Sequence, residues 1–544
     1  MATANDELPK PARLVMLVDN GVNGDSRVQK TARSAAEAGW DVILLGRSPN
    51  GRPQSWKLGD AEVRLLRMVS PLKARRQEFR RRWIVAPLAY PPTGIAEQRR
   101  QAMRAWQTDL KVRRALLAQT GAPAIRQRLL QTQALAAKVV AKWVSLRAKQ
   151  AAFGQKYRAS LRAPSDRAYT WFWHRVSGER AWRRLEPSLW DFELAFGKTV
   201  DSLKPDVIYA NDFRMLGVGA RAKIRARAKG RGIKLIWDVH EYLPGVKPRV
   251  DNHRWMIANV AHEHEYAPFA DAVITVSERL AEMLKADHSL GALPTVVLNA
   301  PSAADVTATG DSDVTDIRTA CGLDKDTPLF VYSGAAAAHR GLGVMLEAMP
   351  HLDQMHVAFV VNDPTGPYLT SLISRARELN VADRLHVLPY VAHSDVVRFL
   401  STATAGVIPI HHWLNHEIQL ITKFFEYSHA GLPILVSDVE TMAETVRLNG
   451  QGEVFRVDDV EDYVRAAKMI ISDVSEYRAA YSSMDLHRWT WEVQAANQDR
   501  VYRSLVSPDR HPHSVNAAPE RLVSGPASAG ALVAVTDSAK EASA

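Results

Sequence analysis

Cysteine is almost missing from this chain: Cys321 is the single one among 544 residues. That excludes an intrachain disulfide framework and any zinc cluster built from several thiolates, and it leaves open metal sites made of histidine or carboxylate. Long apolar runs are missing too. No window reaches the roughly 18 consecutive apolar residues a membrane-crossing helix needs, so no spanning segment is expected. The opening stretch MATANDELPKPAR lacks an apolar run of the secretory type, and the expectation is a cytoplasmic protein. Acidic residues are scarce in one place only. From Lys73 to Arg184 there are 26 Lys or Arg against 5 Asp or Glu. This segment outweighs the whole net charge of +11, and the rest of the chain is mildly acidic.

What is present is a regular alternation of short apolar strands with amphipathic helices, the pattern of a parallel α/β sheet. In RLVMLVDNGVNGDSRVQKTARSAAEAGWDVILLG, residues 14–18 read as a strand and 20–25 as a turn-rich loop. A helix then runs to about Ala38, Gly39 caps it, and residues 41–45 form a second strand. The same grammar returns at KPDVIYANDF, KLIWDVHEY and ADAVITVSERLAEML. It starts afresh near Pro328 with PLFVYSG, the helix RGLGVMLEAMPHL, MHVAFVVND, RLHVLPYV, AGVIPI and LPILVSD. Two Rossmann-like domains are expected, over 13–300 and 327–488, after an N-terminal extension at 1–12. The linker at 301–326 is rich in Ser, Thr, Ala, Gly and Asp. Residues 489–506 read as a closing helix and 507–544 as a disordered tail poor in large apolar residues.

Between residues 72 and 188 the grammar changes to Arg-, Gln-, Ala- and Trp-rich stretches, read as a basic helical insertion in the first domain. At about 100° per residue, Leu135, Val139, Trp143, Leu146, Phe153, Tyr157 and Leu161 share one stripe. Lys138, Lys142, Lys149 and Lys156 edge it on one side, and Arg147, Arg158 and Arg162 on the other; the far face is mainly Ala, Ser and Gln. Such a stripe suits an anionic membrane surface, with Trp83, Trp106, Trp143, Trp171, Trp173 and Trp182 at the interface. It equally suits a subdomain that packs the stripe on the body behind a solvated rim. Nucleic acid would attract the same charge, but no nucleic-acid-binding module is present, so none is expected as a partner.

Ligands of open parallel sheets gather beyond the carboxyl ends of the strands. Four such places carry chemistry. In NGVNGDSR, Gly21 and Gly24 would let the backbone approach a phosphate or a sugar, although a tight strand–helix turn needs glycine for its own sake. In WDVHEY, His240 could donate to or accept from a sugar hydroxyl, or be merely structural. In YSGAAAAHRG, a strand ends at Gly334, and Arg340 could fork onto two phosphates or sit idle on the surface. In ITKFFEYSHAGLPILVSD, Lys423 and Glu426 lie one turn apart on a helix start. A carboxylate there can accept both ribose hydroxyls while the helix start faces a diphosphate; alone, the pair could be a solvated salt bridge.

Taken in order, KFFEYSHAGLPILVSD, YSGAAAAHRGLGVMLEAM, KPDVIYANDF, WDVHEY and ADAVITVSE resemble the retaining GT-B glycosyltransferases of family 4, also called group 1. The resemblance covers about residues 13–70 and 189–505. It implies two Rossmann-like domains facing each other across a cleft, and transfer of a sugar from a nucleotide-diphosphate sugar to an acceptor hydroxyl with retention. It implies that Glu426 holds the donor ribose and that Arg340, followed by Gly341, contacts the diphosphate. Lys423 matches the lysine of a K-x-x-E helix start, and Gly334 ends the strand before them. His240 falls near the transferred sugar, and Gly24 on the loop under the phosphates. Two positions depart from the pattern: Ile418 stands where a sugar-contacting glutamate is common, with Glu417 beside it, and Ala335 stands where an arginine is common.

The resemblance makes His240 and Arg340 the catalytic candidates and Gly24, Gly334, Arg340, Lys423 and Glu426 the donor-binding ones. Cations and helix starts would stabilise the departing diphosphate, so no metal or cofactor is expected beyond the donor itself. No paired-carboxylate glycosidase site is evident. The expected partners are a nucleotide sugar and a lipid-linked or glycan acceptor, at the inner face of an anionic membrane, in cell-surface glycan or glycolipid synthesis. The alternatives are a catalytically silent sugar-nucleotide-binding or scaffold protein, motivated by Ile418 and Ala335, and a sugar-nucleotide epimerase on the same fold.

Overall fold

The computed structural model describes residues 10–70, 72, 86–91, 95–119, 123–160, 164–246, 252–303 and 315–512. The first sheet comprises β1 (Arg13–Leu17), β2 (Asp41–Arg47), β3 (Gln54–Leu58), β4 (Ala61–Leu66), β5 (Val207–Asn211), β6 (Lys234–Val239), β7 (Ala272–Thr275) and β8 (Thr295–Val296). Their order is β3-β4-β2-β1-β5-β6-β7-β8, parallel except for the β3–β4 hairpin. The second sheet holds β9 (Leu329–Ser333), β10 (His356–Val361), β11 (Leu385–Pro389), β12 (Ala405–Ile408), β13 (Ile434–Ser437) and β14 (Gly452–Phe455). Its order is β11-β10-β9-β12-β13-β14 and every pairing is parallel. The chain therefore folds as two α/β Rossmann-like domains.

The apolar runs form strands because helices cover both faces of each sheet. β1, β5, β9 and β12 are almost wholly buried along their length. In each sheet the order reverses at a central strand: β1 pairs with both β2 and β5, and β9 with both β10 and β12. Loops leaving these strands diverge and open a crevice, the usual ligand position of such sheets. The loop after β1 contains Gly24, and the loop after β9 contains Gly334 and Arg340.

The two domains are bolted together at several points. The Ser277 hydroxyl donates to the Ile418 carbonyl at 2.6 Å, and Asn299 Nδ2 to Thr422 Oγ1 at 3.0 Å. Asn415 accepts from the Tyr242 N–H at 2.8 Å and donates back to its carbonyl at 3.1 Å. The closing helix, Trp491–Leu505, returns to the first domain. There Trp491 Nε1 donates to Ser34 Oγ and Trp40 Nε1 to Asp499, each at 2.7 Å. Residues 507–512, expected within the disordered tail, are instead ordered: Arg510 donates to Asp206 at 2.7 Å and to the Lys10 carbonyl at 3.0 Å. Those contacts are long-range pairings of single residues, which local composition does not express. The remainder of the tail lies outside the described residues.

The insertion is helical over Ile95–Gln119, Ala124–Ser160 and Pro164–Ser177. Helix Ala124–Ser160 packs through Ala137, Val144, Ala148 and Ala151, the far face, which is buried. The apolar stripe faces outward, with Leu135, Val139, Trp143, Leu146 and Phe153 each 46–66% exposed. Among the described residues, then, the stripe is not packed on the body. Trp171 is also exposed, whereas Trp182 is fully buried, its Nε1 donating to Glu265 at 2.6 Å, and does not belong to any outer surface. Trp83, Leu161 and the Tyr157 side chain fall outside what is described. Among the described residues no helix is long and apolar enough to cross a membrane.

Candidate active site

On the second domain, the site is assembled from the end of β9 and the start of helix Thr422–His429. Gly334 has φ +132°, and a Cβ there would lie 2.4 Å from Lys423 Nζ. That backbone angle is one that side chains rarely adopt, which calls for glycine, and the lysine amine, 5.1 Å over the Tyr332 ring, lies in the space left open. Burial first, then the charge of Arg340, pulls the Lys423 ammonium down to about 8, with Glu426 working in the opposite direction. One turn on, Glu426 is 3% exposed, and its Oε1 stands 3.9 Å from His393 Nδ1. Burial and the Glu426 charge together raise the Tyr390 phenol well above its usual range. Arg340 ends a short turn, Ala338–Arg340, and is followed by Gly341 at φ +66°. A Cβ on Gly341 would come within 1.8 Å of the Pro409 carbonyl oxygen, so only glycine lets the Arg340 turn sit against β12.

On the first domain, the carboxyl end of β6 holds a buried charge network. Asp238 accepts from Arg27 Nε and Nη2 at 3.1 and 2.9 Å, from the Tyr209 hydroxyl at 2.7 Å, and faces His240 Nε2 at 3.0 Å. Burial alone would raise this carboxyl, but Arg27 and His240 outweigh it and hold Asp238 well below the usual carboxylate range. Burial works against a charged His240 as well. Asp212, 3.8 Å from its Nδ1, and Asp238 overcome that and lift the ring to about 9. At neutral pH His240 is therefore an imidazolium, able to donate but not to accept. Asp212 stands in the left-handed region at φ +58°, just after β5, and also accepts the His240 backbone N–H at 3.3 Å. A non-glycine residue at that conformation is strained and is retained by what it holds.

A cavity of about 970 Å³ lies between the domains. Gly24, Gln29 and Lys30 line it from the first domain, and Gly334, Tyr390, His393, Lys423 and Glu426 from the second, with Trp491 also in its wall. Four of the residues predicted from sequence thus meet in one space: Gly24, Gly334, Lys423 and Glu426. His240 and Arg340 are outside this lining. Arg340 nonetheless bears on both sides, because its charge acts on Lys423 and on Glu241, the neighbour of His240.

Sequence reasoning missed Arg27, Asp212 and Asp238, whose importance comes from pairing across 211 residues in the case of Arg27 and Asp238. It also missed Lys30, Tyr390 and His393; no local pattern marks them, and only the DVHEY and NDF strand ends hinted that polar groups gather there. The two departures from the family pattern differ in setting: one is in the core and Ala335 is exposed. Ile418 is buried within the core of the first domain. Glu417 accepts the Glu440 N–H at 2.7 Å and pairs with His412 Nδ1 at 2.7 Å, which turns it to a helix start rather than the cavity. The Ala335 carbonyl accepts from the Tyr332 hydroxyl at 2.8 Å.

Comparison with known proteins separates the two halves. Residues 154–300 match the family model Glycosyltransferase Family 4, and residues 313–483 match Glycosyl transferases group 1. A D-inositol 3-phosphate glycosyltransferase of Thermobifida fusca is 22% identical over 299 residues, 51% of this chain and 66% of the relative. A glycogen synthase of Mycobacterium tuberculosis is 24% identical over 187 residues, 34% of this chain and 44% of the relative. The chain thus spans less than two thirds of the length of these curated relatives. Among solved structures, sucrose-phosphate synthase from Thermosynechococcus elongatus aligns with a TM-score of 0.56 at 15% identity, over 91% of this chain and 99% of that one. A UDP-forming α,α-trehalose-phosphate synthase from Burkholderia xenovorans aligns at 0.52 and 12% identity, over 91% and 100%. These neighbours share the fold. A glycosyltransferase family model thus matches part of each half of the chain, and the two Rossmann-like domains share the GT-B fold of these synthases.

Proposed function

We propose that the chain transfers a sugar from a nucleoside-diphosphate sugar to an acceptor hydroxyl, with retention, and that the interdomain cavity receives the donor. The observation that carries this is the placing of Lys423 and Glu426, from one helix start, in a single cavity with Gly334 and, from the facing domain, Gly24. Glu426 is buried deeply enough to accept two ribose hydroxyls without competition from water. Lys423 and Arg340 would meet the diphosphate, whose negative charge grows as the glycosidic bond breaks. His240, held protonated, would donate to a sugar hydroxyl rather than act as a base. Two neighbours of the same fold are described with UDP, the Burkholderia xenovorans synthase and an E. coli trehalose-6-phosphate structure bound with UDP-2-fluoro glucose, so UDP-sugars are the first donors to test.

The test is a thermal-shift panel of UDP-, GDP- and ADP-sugars with the parent and Glu426→Ala. A donor that stabilises the parent and not the variant supports the reading; equal shifts remove Glu426 from its role. Turnover of a mass-tagged donor then separates the alternatives: binding without transfer favours a silent protein, and conversion without any acceptor an epimerase.

A second feature bears on the acceptor. The outward stripe Leu135–Phe153 is bordered by Lys138, Lys142 and Lys149 on a segment with a large excess of positive charge. This supports an acceptor at an anionic membrane surface, because apolar side chains enter the interface while the amines meet lipid phosphates.

A further inference from the structure

The first domain carries a cluster of ligating side chains that the donor cavity does not use. His264 lies in the last turn of helix His253–Tyr266; Asp287 ends helix Glu278–Asp287, and His288 caps it. Their ligand atoms all lie within 4.8 Å of one another. Asp287 Oδ2 is 3.7 Å from His264 Nε2 and 4.0 Å from His288 Nε2. Both separations are too long for a direct hydrogen bond. Donor atoms of a tetrahedral zinc site, with bonds of about 2.0–2.2 Å, stand roughly 3.3–3.5 Å apart, so the separations would draw in by up to about 1.4 Å, by rotation of the side chains, to close the shell. We infer that His264, Asp287 and His288 form a site for a divalent transition metal of the zinc class, separate from the donor cavity.

Two further observations agree. Glu263 is 2% exposed and hydrogen-bonded through Oε1 to His288 Nε2 at 3.2 Å; a metal at that nitrogen would replace the shared proton and have the carboxylate beside it. Two imidazole nitrogens with carboxylate oxygens favour zinc-like ions over magnesium or calcium, which prefer all-oxygen shells. The site is accessible: the His264 and Asp287 side chains are 28 and 29% exposed. Its role would be positional. The Tyr242 hydroxyl donates to Asp287 at 3.4 Å, and the Tyr242 backbone holds Asn415 of the opposite domain in two hydrogen bonds. A metal would thus fix the segment on which the two domains meet.

The test uses the full chain stripped with chelator and titrated with zinc chloride by calorimetry. One equivalent is expected for the parent, at least tenfold weaker binding for Asp287→Asn, and none for His264→Ala; cobalt(II) should show tetrahedral visible absorption only in the parent. His487→Ala, at an exposed histidine elsewhere, should bind as the parent does. Failure of the stripped parent to bind zinc, or unchanged binding in His264→Ala, overturns the site. Circular dichroism checks that the two variants, both at partly exposed positions, remain folded. Donor-induced thermal shifts on stripped protein report on the cavity separately, so loss of one reading leaves the other standing.

Discussion

Lys423 and Gly334 depend on each other. Replacing Gly334 with alanine would set a methyl group at the position of the Lys423 amine, on a backbone angle that alanine resists. The expected outcome is a loss of about 1–3 kcal/mol in stability, read by urea unfolding, together with loss of the donor-induced thermal shift. Because the Lys423 ammonium is held down to about 8, its charge fades as pH rises through that value. Donor affinity should be flat at lower pH and begin to fall near 8, and Lys423→Gln should remove that first fall while leaving the one near 9 that belongs to His240; calorimetry across pH 6–10 checks this. His240 has the opposite sign. Its ring is lifted from 6.5 to about 9 by Asp212 and Asp238 against the pull of burial, so the stability it contributes is fully present below about pH 6.5 and is lost as pH rises through about 9. The melting-temperature gap between parent and His240→Gln should close over that interval.

At the scale of elements, most of the sheet was legible. Strands buried on both faces read as plain apolar runs, and β1, β2, β5, β6, β7, β9, β10, β11, β12 and β13 fall on the segments expected. The hairpin β3–β4, the two-residue β8 and β14 were not anticipated. QSWKL and GEVF mix polar and apolar residues at sheet margins, where one face is solvated and the pattern weakens. The insertion was legible as amphipathic but not in its orientation. Alanines, which looked like a bland far face, are what helix Ala124–Ser160 buries, because small side chains allow close helix approach. Since Trp143 and Phe153 are about half exposed, Trp143→Glu with Phe153→Glu should leave the melting temperature nearly unchanged while abolishing sedimentation with anionic liposomes. Equal sedimentation would remove the stripe from membrane contact.

At the scale of the whole molecule, the cleft exists because the closing helix returns to the domain in which the chain began. Trp491 is buried, donates to Ser34, and receives the Lys30 amine over its ring at 4.7 Å. Trp491→Ala should cost about 3–5 kcal/mol and widen the cavity wall, seen as a lower unfolding midpoint and a weaker donor-induced shift.

Periodicity and strand-end chemistry are local properties, so the sequence by itself determined the two α/β halves, the inserted basic helices and the helix start bearing Lys423 and Glu426. Contacts between distant residues are not written in any window of the chain. Only the tertiary structure decided that Asp212 and Asp238 keep His240 charged, that Glu417 turns to the Glu440 N–H, and that the apolar stripe of the insertion looks outward. Each depends on the partner that folding brings alongside, and burial then multiplies the electrostatic consequence of that pairing.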